Sequence, residues 1–228
     1  MDINAIFSNL NTLWTRWSAY EVTDNHGIAY LTPAPGAEAF QYNCAEQPET
    51  LVAEALELGR QIERQSPDVD RACAAFAAHH GLLGLGGDTD AGLFSTGAVA
   101  PCYRPVGERD YGEAMERFKA ELAGLYRHFL AGRGQAPAVN LPAMTGGLSF
   151  KLTAGQSPQL IWTADSLLDI LRLTYAALIT APSESLKICR NCGMVYYNPH
   201  TKSEFCGTKC RNVYNVRAFR EKGKRNGC

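Results

Sequence analysis

The sequence has no uninterrupted run of about 18 apolar residues, the minimum for a helix to cross a bilayer. Its nearest approach, LLDILRLTYAALI, is broken by Asp169 and Arg172, so no membrane association is expected. The first residues, MDINAIFSNLNTLW, lack the basic head and apolar stretch of a secretory leader. A disulfide framework is missing too: the 8 cysteines fall as three isolated residues (Cys44, Cys73, Cys102), two close pairs and Cys228. That usage suits reduced thiols, and a cytoplasmic protein is expected. There is no internal repeat or long low-complexity segment. The glycine-rich stretch 81–101 lacks the Gly-Lys-Ser/Thr ending of a phosphate-binding loop and reads as a long flexible loop. No nucleophile, base and orienting group can be assembled, so an enzyme is not expected.

What the chain does hold is concentrated at one end. Cys189 and Cys192 stand in ICRNCG, Cys206 and Cys210 in FCGTKC. Two residues between thiols and a following glycine suit a tight knuckle. Three residues between thiols put Cys206 and Cys210 one turn apart on a helix that should begin near Thr208. Four thiolates fill the tetrahedral shell of one Zn²⁺ and leave no place for water or substrate, so a single structural zinc per chain is expected. The alternatives are four reduced cysteines in a small core or two disulfides, but so short a segment has too little apolar surface to hold itself together without a staple. His200 lies between the pairs and reads as a loop residue.

Charge is equally polarised. The overall balance is −1, yet residues from Lys187 onward carry 10 Lys/Arg against 2 acids, and residues 1–186 carry 12 against 21. The parts stand near +8 and −9. Such a basic end is an electrostatic footprint for nucleic acid. Lys209, Arg211, Arg217, Arg220, Lys222, Lys224 and Arg225 are candidates for phosphate contacts, and Asn212, Asn215 and Tyr197 for base or sugar contacts. On a helical wheel Arg211 and Lys222 fall on one side of Cys210, Arg217 and Arg220 on the other, a split that favours backbone binding over groove readout. Two other function classes remain open. One is a zinc-stabilised module that docks an acidic protein partner, the other an enzyme with a structural zinc.

The order of cysteine knuckle, aromatic hairpin (MVYYN), polar turn, Phe-Cys, and a cysteine followed two residues later by Asn212 ahead of an Arg-rich helix resembles the CGNR-type zinc finger. The cysteine and asparagine match in Cys210-Arg211-Asn212-Val213. That finger closes proteins of the ABATE family, described as bacterial stress-related transcription regulators with an α+β domain ahead of the finger. The resemblance implies a treble-clef-like module and a DNA-binding regulator.

With 228 residues and 46% hydrophobic composition, one sizeable core and a small module are expected. The division would be an α+β body over 1–182, serving to sense a ligand or to form a homodimer, and a finger over 183–228. Within the body, Ile6, Leu10, Leu13 and Trp17 predict a helix over 2–17, with Trp14 and Trp17 in the core. AYEV, GIAYL and AFQYN, separated by DNHG and PAPG, predict a small antiparallel sheet. Helices are predicted from Pro48 to the Ser66-Pro67 break, from Pro67-Asp68 through His79 and His80, over 110–131, and from Thr163 or Asp165 to Pro182. In the 110–131 helix Glu113 should lie off the apolar face. The last helix is apolar almost all round and should be buried centrally. GGLSFKLT and PQLIWT should form a hairpin, His79 and His80 should diverge from the end of their helix, and His128 should be a surface residue.

Overall fold

A computed structural model describes residues 13–44, 46–85, 94–97, 100–103, 112–141, 148–154, 158–164, 166–181, 184–200 and 202–225. The chain is α+β, as the alternation of short extended pieces and longer amphipathic runs predicts. β1 (Leu13–Trp17) pairs antiparallel with β4 (Ala39–Asn43). Between them β2 (Tyr20–Asn25) and β3 (Ile28–Pro33) form a hairpin. Its turn falls at DNHG because His26 (φ 54) and Gly27 (φ 83) take the left-handed conformation that a two-residue hairpin loop demands. The Gly27 N–H donates to Oδ1 of Asp24 at 3.1 Å.

Three helices and the base of a fourth enclose the core. α1 (Pro48–Glu63) starts with proline at its first turn, and α2 (Val69–His80) follows the Ser66-Pro67 break. α3 (Met115–Gly132) buries Met115, Phe118, Leu122, Leu125 and Phe129 against α1. α4 (Leu167–Thr180) is capped by Ser166, whose Oγ accepts from the Asp169 amide at 3.0 Å. The helix α1 crosses α3 closely: a Cβ on Gly59 would lie 2.3 Å from the Leu122 carbonyl oxygen, so only glycine fits.

β5 (Phe94–Gly97) pairs with β6 (Ala100–Tyr103), β7 (Glu113–Ala114) joins the edge of β3, and β8 (Leu148–Thr153) pairs with β9 (Gln159–Ala164). The last two elements before the terminal helix are β10 (Leu186–Ile188) and β11 (Val195–Tyr197), an antiparallel pair. The final helix is α5 (Thr208–Arg225).

Several expectations change. Residues 13–17 are a strand, and the rest of the helix expected over 2–17 lies outside the described residues. LWTRW carries two tryptophans and a threonine, residue types favoured in strands, and pairing with AFQYN outweighs the helical spacing. Trp14 is core as expected, fully buried, with Nε1 donating to the Leu82 carbonyl at 3.0 Å. The stretch 81–101 is not wholly loop, since it supplies β5 and the start of β6, while 86–93 lie outside the described residues. The 110–131 helix begins at Met115, because Glu113 and Ala114 pair with β3.

α4 is buried on one face only. Leu167, Ile170, Leu171 and Tyr175 are within the core and Ile179 is 43% exposed. It begins at Leu167, capped by Ser166, rather than at Thr163 or Asp165. His128 is half-buried, its Nδ1 2.7 Å from the Tyr175 hydroxyl.

The hairpin β10–β11 belongs to the body's core. Leu186 and Val195 sit in the same hydrophobic cluster as Leu51, Leu56 and Phe118, with Ile188 and Tyr197 packed on it. The Val195 amide donates to Glu57 Oε2 at 3.0 Å, and Glu57 is held by Arg60 Nε at 2.8 Å. The expected division at 182/183 therefore crosses a continuous core.

Candidate metal centre

The knuckle is shaped by the backbone of Cys189–Gly193. The Gly193 amide donates to the Cys189 carbonyl at 2.8 Å, and the Cys189 amide to Met194 O at 2.9 Å. Gly193 has φ 73, a left-handed value that explains the glycine in ICRNCG. The second pair arrives from the other side. Cys206 lies just ahead of α5 and Cys210 in its first turn. Arg190 N donates to Glu204 O at 3.0 Å, tying the loop before α5 to the knuckle. Phe205 packs on Tyr214 at 5.3 Å between ring centroids, and the Arg190 guanidinium lies 4.9 Å over the same tyrosine.

These elements bring all four sulfurs together. Each Sγ of Cys189, Cys192, Cys206 and Cys210 lies within 4.8 Å of the others. Cys206 and Cys210 are 3.5 Å apart, Cys192 and Cys206 3.8 Å. All four are free thiols. Those separations are too long for a disulfide, whose sulfurs stand about 2.05 Å apart. They match the edge of a tetrahedron around one ion, about 3.8 Å for metal–sulfur bonds of about 2.3 Å.

Protonation tells the same story. Burial opposes ionisation of Cys189, but amide N–H groups of Cys206, Cys192 and Asn191 outweigh it and bring the thiol down to about 6. Cys206 is pushed up by burial and by its three sulfur neighbours, and Cys192 also rises, burial first. Four thiolates share this space only when a cation neutralises them. The residues fit a closed four-sulfur metal site. His200 is a loop residue as expected, exposed and outside the cluster, its amide donating to Asn198 Oδ1 at 2.8 Å.

The basic helix continues from the cluster. Among the described residues no element runs along α5, and the side chains of Lys209, Arg211, Asn212, Asn215, Arg217 and Arg220 are all exposed. The backbone of Lys222, Lys224 and Arg225 continues the helix, and their side chains lie outside the description. Tyr197 is placed apart from this group. It is half-buried against the body, where desolvation and then the charge of Glu49 raise its hydroxyl above the usual tyrosine range. Val216 and Phe219 are exposed on α5 as well, Phe219 at 79%.

A second cluster was invisible in the sequence. His79 Nδ1 and His80 Nε2 lie 2.8 and 2.7 Å from one oxygen, Oε2 of Glu54. The adjacent histidines do not diverge as a helical pair should, since their rings are 4.3 Å apart. One uses its near nitrogen and the other its far nitrogen to reach a common point. The hydrogen bond from His80, against the effect of burial, holds Glu54 below the usual carboxylate range. His80 is itself lowered, because burial outweighs the pull of Glu54. Glu54 lies on α1 and the histidines on α2, so no local motif signals the group.

No protein-family model, curated protein or solved structure matches the chain.

Proposed function

We propose that the protein is a zinc-dependent nucleic-acid-binding protein, acting on duplex DNA as a transcription regulator, with the body serving to sense a ligand or to join two copies. The ion is Zn²⁺ because four thiolates at tetrahedral spacing suit it and offer no open position for catalysis. The observation that supports the reading is the exposure of Lys209, Arg211, Arg217 and Arg220 on α5, along which no element runs among the described residues. The resemblance of the finger to the CGNR type supports the same reading. Lys209, Arg211, Arg217, Arg220, Lys222, Lys224 and Arg225 would contact phosphates, with Asn212 and Asn215 nearest to base edges.

If about four of these side chains neutralise phosphates, log K should fall with log salt at a slope of roughly −3.6. Arg217→Ala with Arg220→Ala should weaken binding and flatten the slope by up to about two units. Loss of affinity at unchanged slope, or no salt-sensitive binding by the zinc-loaded protein, would sink the proposal. A second reading draws on Val216 and Phe219, 50% and 79% exposed three residues apart on α5. Under that reading the helix docks a protein partner. Phe219→Ala would then abolish partner binding while leaving any affinity for DNA intact.

A further inference from the structure

We propose that Glu54, His79 and His80 form a second metal site, which takes a divalent transition cation through the Glu54 carboxylate, Nδ1 of His79 and Nε2 of His80. The three ligand atoms lie within 4.8 Å of one another. A tetrahedral ion with bonds of about 2.0–2.1 Å separates its ligands by about 3.3 Å, so the present contacts must open by about half an ångström. The structure allows that movement. Glu54 and His79 have side chains 42% and 57% exposed and can rotate, whereas His80, 8% exposed, is fixed from behind by the Phe76 ring at 4.8 Å. One firm ligand and two adjustable ones can close on an ion without disturbing the core.

A neighbouring cavity is the second observation. It measures about 130 Å³ and is bordered by both histidines together with Arg16, Tyr42, Asn43 and Thr50. Three protein ligands leave at least one coordination position for water or an added ligand, which makes this an open site, unlike the four-sulfur centre. Arg16 is held at the edge of this cavity, with Nη1 donating to the Ala78 carbonyl at 2.7 Å and the guanidinium 5.3 Å over Tyr42, and Glu46 adds a carboxylate to the same lining. Two imidazoles and one carboxylate favour Zn²⁺, Co²⁺ or Ni²⁺ over Mg²⁺ or Ca²⁺. The inference does not depend on what α5 binds.

The test uses the full chain with zinc already in the four-sulfur centre, titrated with Co²⁺ and followed by absorption. One further equivalent should bind with weak d–d bands and no thiolate-to-cobalt charge transfer, since the new ligands are nitrogen and oxygen. His79→Ala and Glu54→Gln, at side chains 57% and 42% exposed, should each weaken that binding more than about 100-fold, beyond what loss of a mere supporting contact causes. No cobalt beyond the four-sulfur centre, a charge-transfer band with the added equivalent, or binding that survives in either variant would overturn the proposal.

Discussion

Glu113 lies beneath the turn that follows α2, with its carboxylate accepting amide N–H bonds from Leu83 at 2.9 Å, Leu85 at 2.8 Å and Gly84. Burial dominates even so and pushes its pKa up from 4.5 to about 7. The folded state thus holds the proton more tightly than the unfolded chain. Its contribution to stability is fully present below about 4.5 and is lost as pH rises through about 7. Glu113→Gln should remove this dependence, seen as a smaller loss of stability between pH 5 and 8 in urea unfolding. It should also cost about 1–3 kcal/mol at pH 5, because an amide N–H₂ then faces three donors. Helical spacing alone placed this glutamate on the solvent side, and nothing local shows that a distant turn will present three free amides. The cysteines divide by environment as well. Cys44 and Cys73 are pushed up to about 12, chiefly by burial, and should stay inert. Cys206→Ala should abolish zinc retention in metal analysis of the purified protein. Structural zinc contributes on the order of 10–16 kcal/mol in finger peptides, so the loop and first turn of α5 should lose order with it.

At the scale of elements, the crossing of α1 and α3 depends on a missing side chain. Gly59→Ala would press a methyl onto Leu122 O at 2.3 Å and Tyr126 Cβ at 2.8 Å. It should destabilise the body by about 1–3 kcal/mol in chemical denaturation, through overpacking that the helix propensity of alanine does not offset. The elements that sequence reading placed correctly are those whose signals are local. DNHG makes its hairpin, Pro48 and Pro67 start their helices, and the two cysteine pairs converge as their spacing requires. The elements it misplaced are those decided by distant partners. Leu13–Trp17 became a strand through β4, some two dozen residues on, and Glu113–Ala114 through β3. The same division holds for the sites. The four-sulfur centre was legible because its ligands lie in two short motifs, and the Glu54, His79 and His80 group was not, because two helices had to pack before it existed.

For the whole molecule, the shared core joins the four-cysteine module to the body. Leu186 and Val195 are 4% and 3% exposed, each worth about 1.5–3 kcal/mol of burial. A chain ending at residue 182 should therefore unfold at a clearly lower temperature than the intact protein, although the body alone holds the long apolar faces of α1 and α3. Thermal unfolding followed by circular dichroism checks this, and equal midpoints for the two chains would show that the hairpin adds nothing. Net charge divides along the same line, near −9 before Lys187 and +8 from it onward. α5 has 18 residues and so extends about 27 Å, held at one end by Cys210 and Tyr214, and among the described residues no other element runs along it. It works as a pointer with its pivot at the metal cluster. Under the zinc reading, loss of the ion would leave every arginine in the chain and take away the bearing along which the helix is held.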